Sequence, residues 1–110
     1  MSKPIQVSDD QFEAEVLRSD VPVLVDFWAD WCAPCHALAP HLERVVSELG
    51  GAVALAKVEV DAGDNMKLAG HFRLRGFPTV ILFREGEERG RFSGSRSSHW
   101  LRDWLVQHLD

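Results

Sequence analysis

The stretch Val21-Pro22-Val23-Leu24-Val25-Asp26-Phe27-Trp28-Ala29-Asp30-Trp31-Cys32-Ala33-Pro34-Cys35 decides how the rest of this sequence reads. From Val21 to Trp28 it is apolar without alternation, interrupted by one acid, Asp26, which is the pattern of a strand buried on both faces. A turn over Ala29 to Ala33 follows, and a helix runs from there to about Leu49. Leu38, Leu42, Val45, Val46 and Leu49 recur on one face of that helix. Pro34 suits its first turn, where no N–H is needed and the preset φ is helical. Pro40, inside it, is expected to bend it, and Gly50-Gly51 to end it. Cys32 and Cys35 therefore stand where a buried strand hands over to a helix.

Working outward, Ser8-Asp9-Asp10-Gln11 has the spacing of a capping box and opens a helix carrying Phe12, Val16 and Leu17. Ile5 to Val7 reads as a short strand before it. Downstream come a second buried strand, Ala52 to Val60, bearing Lys57 and Glu59, and a short helix around Asn65 to Phe72. Thr79 to Phe83 is a third strong strand. A polar turn, Arg84 to Glu88, leads into a weaker one, Arg89 to Ser93. Ser97 or Ser98 caps a last helix with Trp100, Leu101, Trp104, Leu105 and Leu109. Trp100 and Trp104 lie one turn apart and read as core, Trp100 being the one to stay partly exposed. The order β-α-β-α-β-α-β-β-α predicts an α/β fold. Crossovers imply parallel pairing and the late hairpin an antiparallel pair, hence a mixed sheet with helices on both faces.

A chain of 110 residues fits one domain, 1–110. The net charge of −5 argues against a nucleic-acid partner, since the arginines Arg84, Arg89, Arg91, Arg96 and Arg102 are dispersed among acids. No apolar run approaches the length of a membrane span. Met1-Ser2-Lys3-Pro4-Ile5 lacks the apolar core of a signal peptide, so the expected compartment is the cytoplasm. There thiols are kept reduced, and a cysteine pair points to catalysis, redox sensing or metal. Cys32 and Cys35 are the only cysteines.

With a helix starting between them, two cysteines three residues apart bring their sulfurs within bonding distance. The first then sits at the helix N-terminus, where free N–H groups and the dipole stabilise a thiolate. A thiolate beside a second thiol is equipped for exchange: Cys32 attacks a substrate disulfide and Cys35 resolves the mixed disulfide. Other readings compete. A purely structural disulfide would close only a four-residue ring, worth about 2 kcal/mol. The pair could instead be two inert core thiols. Metal binding needs further ligands, with only His36 and His41 near in sequence, unless two chains share a site. Cys32-Ala33-Pro34-Cys35-His36 also matches the c-type haem attachment pattern.

Three segments, Val25 to Cys35, Lys57-Val58-Glu59-Val60-Asp61 and Arg75-Gly76-Phe77-Pro78-Thr79, resemble the thioredoxin family, and the resemblance extends over essentially the whole chain. It implies a thioredoxin-like fold and a protein-disulfide oxidoreductase. Pro78 looks like the family's cis-proline facing the redox pair, and Phe77 would offer its backbone to an extended substrate. Trp31, Ala33, Pro34, Phe77, Pro78 and Gly94 would form the substrate surface around an exposed Cys32 sulfur. Asp26 corresponds to the buried acid behind the second cysteine, where lost solvation raises its titration and lets it take the Cys35 proton. Lys57 is placed to pair with it, or else points to water.

Ala33 stands where the family usually has Gly, His36 where it has Lys, and Arg73 where Gly is frequent. The resemblance further implies protein disulfides as substrates, an NADPH-dependent thioredoxin reductase as electron donor, a monomer, and a role in electron transport and cell redox homeostasis. No bound cofactor or metal is required. A reducing cytosolic glutathione pool favours reduction over oxidation or isomerisation. A non-catalytic binding module and a metal or haem carrier are the readings from other classes.

Overall fold

The computed structural model describes residues 3–109, so Met1, Ser2 and Asp110 lie outside it. Its strands are β1 (Ile5–Gln6), β2 (Val23–Trp28), β3 (Ala54–Glu59), β4 (Thr79–Arg84) and β5 (Glu87–Ser93). Its α-helices are α1 (Ala33–Glu48), α2 (Met66–His71) and α3 (Ser98–Leu109). The strands form one mixed sheet in the order β1-β3-β2-β4-β5. β3 runs parallel to both β1 and β2, whereas β4 is antiparallel to β2 and to β5.

β2 lies between β3 and β4, which is why Val23 to Phe27 carry no polar residue other than Asp26: both faces of the strand are covered. Val23, Val25 and Phe27 enter one core cluster, with Phe12, Val16, Leu68 and Phe83. Leu24 enters the other, with Leu38, Leu42, Leu101 and Trp104. The period-2 alternation of β2 thus feeds both layers, α1 and α3 on one side and α2 with the N-terminal helical turns on the other.

Three expectations need correction. The segment after Ser8 is a 3-10 turn, Asp9–Gln11, followed by a π-helical turn, Glu13–Leu17, rather than a regular helix. The Gln11 side chain still reaches back, its Oε1 accepting from the Ser8 N–H at 3.2 Å. A segment this short is shaped by where Phe12 and Val16 must be buried, not by its propensity. Second, the α2 connection does not make β4 parallel to its neighbours. Third, β5 begins at Glu87, because Glu87 and Glu88 continue the hairpin across a register irregularity at Leu82/Phe83.

α1 runs through Pro40 and ends at Glu48, two residues before Gly50, where φ is +54°. An exposed Pro at the middle of the helix loses a single bond, which burial of Leu38, Leu42 and Val45 offsets. Trp100 and Trp104 stack at 6.3 Å against Phe92, with Trp104 buried and Trp100 partly exposed.

Candidate active site

Cys32 is the N-cap of α1 and Pro34 lies in its first turn. The two cysteines are joined as a disulfide with Cα atoms 5.3 Å apart. The Cys35 N–H donates to Cys32 Sγ at 3.2 Å, and the N–H groups of Cys35 and His36 both donate to the Cys32 carbonyl. Of these donors only the Cys35 N–H reaches the sulfur, and with the helix N-terminus it favours a thiolate there.

The Cys32 residue is not exposed, as the sequence had suggested, but 4 % accessible against 2 % for Cys35. In the oxidised pair its sulfur is bonded to Cys35 and both residues pack into the core cluster with Phe27 and Val58. The exposed members of the group are its neighbours Trp31, Ala33 and Pro34.

Trp31 is 68 % accessible, and its ring meets Phe77 edge to face, centroids 6.1 Å apart. Its Nε1–H donates to Asp61 Oδ2, so the turn after β3 fixes the ring. The Phe77–Pro78 bond is cis, and the Pro78 carbonyl accepts from the Gly94 N–H at 3.0 Å. Gly94 has φ +86°, which a side chain strongly disfavours. The β4 start, the β5 end and the β2–α1 turn therefore place Trp31, Phe77, Pro78 and Gly94 about one another.

Asp26 sits in the middle of β2, 1 % accessible, with no hydrogen-bond partner for Oδ1. Burial pushes its carboxyl up from 3.8 to about 7; Lys57 opposes this and Glu43 on α1 adds to it. Asp26 and Lys57 are register partners across β2 and β3. Yet the Lys57 ammonium rests over the Trp28 ring, 4.8 Å from its centroid. Lys57 is partly buried and does not point freely to water.

Sequence reasoning did not single out Asp61 or Trp28. Asp61 ends the quoted Lys57 to Asp61 segment, but only the tertiary fold brings it under Trp31. His36, an exposed helix residue, turns its Nε2 to the Asp30 carbonyl at 2.7 Å, closing the turn that holds Trp31 and Cys32. Arg73 adopts φ +56°, which explains why glycine is usual there. Among the described residues no group of three or more His, Cys, Asp or Glu is arranged to hold a metal ion.

The family model described as Thioredoxin matches residues 3–107. The chain belongs to the thioredoxin family. It is similar to the thioredoxin of Rickettsia felis, 40% identical over 103 residues, covering 94% of this chain and 96% of that one. The thioredoxin of Mycolicibacterium smegmatis is 43% identical over 95 residues, 86% and 85% of the two chains. Thioredoxin 1 of Nostoc sp. is 38% identical over 109 residues, 99% and 100%. With the disulfide-bonded pair at the start of α1, this makes the chain a thioredoxin-type protein-disulfide oxidoreductase, reducing substrate disulfides by exchange through Cys32 and Cys35. No helix among the described residues is long and apolar enough to cross a membrane.

Proposed function

We propose that this thioredoxin-family protein acts as a monomeric, single-domain, cytoplasmic reductase whose Cys32 is the nucleophile, Cys35 the resolving thiol and Asp26 the base. The Cys32 thiolate attacks one sulfur of a substrate disulfide. A bond forms between Cys32 and that sulfur, the substrate's S–S bond breaks, and the other substrate thiolate leaves and takes a proton. Cys35 then gives its proton to Asp26 and attacks Cys32 Sγ, and the second substrate thiolate leaves and takes that proton back from Asp26. Two electrons and two protons pass to the substrate, and the product is the Cys32–Cys35 disulfide.

The observation that carries this reading is the Cys35 N–H directed at Cys32 Sγ. The pair is chemically unequal, and the donor favours charge on Cys32. A carboxyl held near 7 supports Asp26 as base, because it can take and return a proton at working pH. Lys57 sets the field in which it does so. Trp31, Ala33, Pro34, Phe77 and Gly94 form the substrate surface, with Pro78 buried beside them and Phe77 pairing to an extended segment as an added strand. An NADPH-dependent thioredoxin reductase returns the disulfide to the dithiol, placing the protein in an electron-transport chain.

The test is NADPH oxidation by the protein with a thioredoxin reductase and insulin as disulfide substrate. Rapid turnover supports the reading. A reduction potential for the pair above roughly −200 mV would overturn it in favour of oxidation or isomerisation.

A further inference from the structure

We propose that Trp28 is a positioning residue: its indole face holds the Lys57 ammonium off the Asp26 carboxylate, so the acid is left without an ion-pair partner. The proposal rests on Asp26 being the base of the exchange reaction.

Asp26 and Lys57 face each other in the β2–β3 register, and Trp28 is opposite Glu59. Trp28 lies two residues after Asp26, on the same side of the pleat. Lys57 therefore has two places to put its charge, across to Asp26 or along the strands to the indole. The ammonium takes the second, 4.8 Å from the ring centroid. Among the described residues no ion pair within 4.0 Å joins Asp26 to any cation. Asp26 Oδ1 accepts no hydrogen bond.

Trp gives the strongest cation–π contact of the aromatic residues, and the contact strengthens as the cation loses solvent. That is enough to compete with an ion pair whose carboxylate must first be desolvated. The charged and titratable groups around this arrangement come from α1 and β3. On α1, His36 meets Trp28 edge to face at 6.0 Å and lies 3.8 Å from the Asp30 carboxylate, while Glu43 raises Asp26. Glu59 flanks Trp28 on β3, and Cys35 is tied up in the disulfide. Of these only Lys57 lowers Asp26, so where its ammonium rests governs how readily Asp26 keeps a proton.

The experiment follows the Asp26 carboxyl directly by 13C NMR titration of the oxidised protein, in which neither cysteine titrates. Trp28→Leu frees Lys57, and the Asp26 midpoint is expected to fall by about one pH unit. Trp28→Phe keeps a weaker aromatic face and is expected to give a smaller fall, which preserves the test should Trp28→Leu not fold. Lys57→Met is expected to raise the midpoint, and adding Trp28→Leu to it to change nothing further. An unchanged or higher midpoint in both Trp28 variants overturns the proposal. So does an equal fall with and without Lys57, which would mean that the variant merely admits water to Asp26. None of these readings depends on catalysis. Turnover of Asp26→Asn separately decides whether Asp26 is the base.

Discussion

The Cys35 backbone N–H points at the Cys32 sulfur across 3.2 Å, inside the first turn of α1. That donor belongs to the backbone of α1 and not to the S–S bond, so on reduction charge is expected on Cys32 rather than on Cys35. Cys32→Ser is expected to abolish disulfide reduction. Cys35→Ser is expected to accumulate mixed disulfides with substrates, visible by mass spectrometry under non-reducing conditions. Alkylation of the reduced protein at pH 7 should label Cys32 first; faster labelling of Cys35 would reverse the two roles.

Asp26 makes stability depend on pH with a sign opposite to that of most acids. Burial first of all holds it at about 7 in the fold, against an ordinary 3.8. Between those values the native state keeps the proton and the unfolded chain releases it, so stability falls as pH rises from about 4 to 7. The full loss is about 4 kcal/mol at most. Asp26→Ala should abolish this slope and be more stable than the parent at pH 8 by about 2 kcal/mol, after the small cavity it leaves. Denaturant melts at pH 5 and pH 8 measure both quantities, and a parent equally stable at the two would refute the account.

Trp31 owes its orientation to two contacts, the Phe77 ring and the Asp61 carboxylate. Its broad exposed face is suited to protein surfaces and contributes little to a small disulfide. Trp31→Ala should raise KM for insulin about tenfold, the effect of about 1.4 kcal/mol, with little change for a small aromatic disulfide. Asp61→Ala should act in the same direction more weakly. Equal losses on both substrates would assign Trp31 to the chemistry instead.

Gly94 combines φ +86° with an N–H bound to the Pro78 carbonyl. An added Cβ meets no atom within 4 Å, so the cost of Gly94→Ala is conformational and amounts to about 1–2 kcal/mol. The backbone relaxing to escape that strain would shift the surface beside Pro78. A denaturant melt should show the loss, and KM for protein disulfides should rise with it. A variant as stable as the parent would show that the φ is not held by the fold.

Much of the site was legible because its residues are close in sequence and their pattern has few explanations. Cys32, Pro34 and Cys35 fall within one turn, and a buried strand before a helix places them at its N-terminus. Pro78 could be placed through family resemblance, because a short Gly-x-Pro-Thr segment carries it. Asp61 and Trp28 escaped notice because their roles depend on partners at Trp31 and Lys57, thirty and twenty-nine residues away. An aspartate after a strand and a tryptophan at a strand end are ordinary residues until the sheet is assembled.

Local pattern was enough to place most of the elements and to set Cys32 and Cys35 at a helix start. Apolar periodicity is local, and it fixed β2, α1, β4 and α3 close to their observed limits. It could not determine that β4 runs antiparallel to β2, because the α2 connection is compatible with either direction and only packing of both faces selects one. It likewise left Lys57 between Asp26 and water, while the structure puts its ammonium on Trp28. That choice depends on distances across two strands and on the solvation of a buried carboxyl, quantities that exist only once the chain is folded.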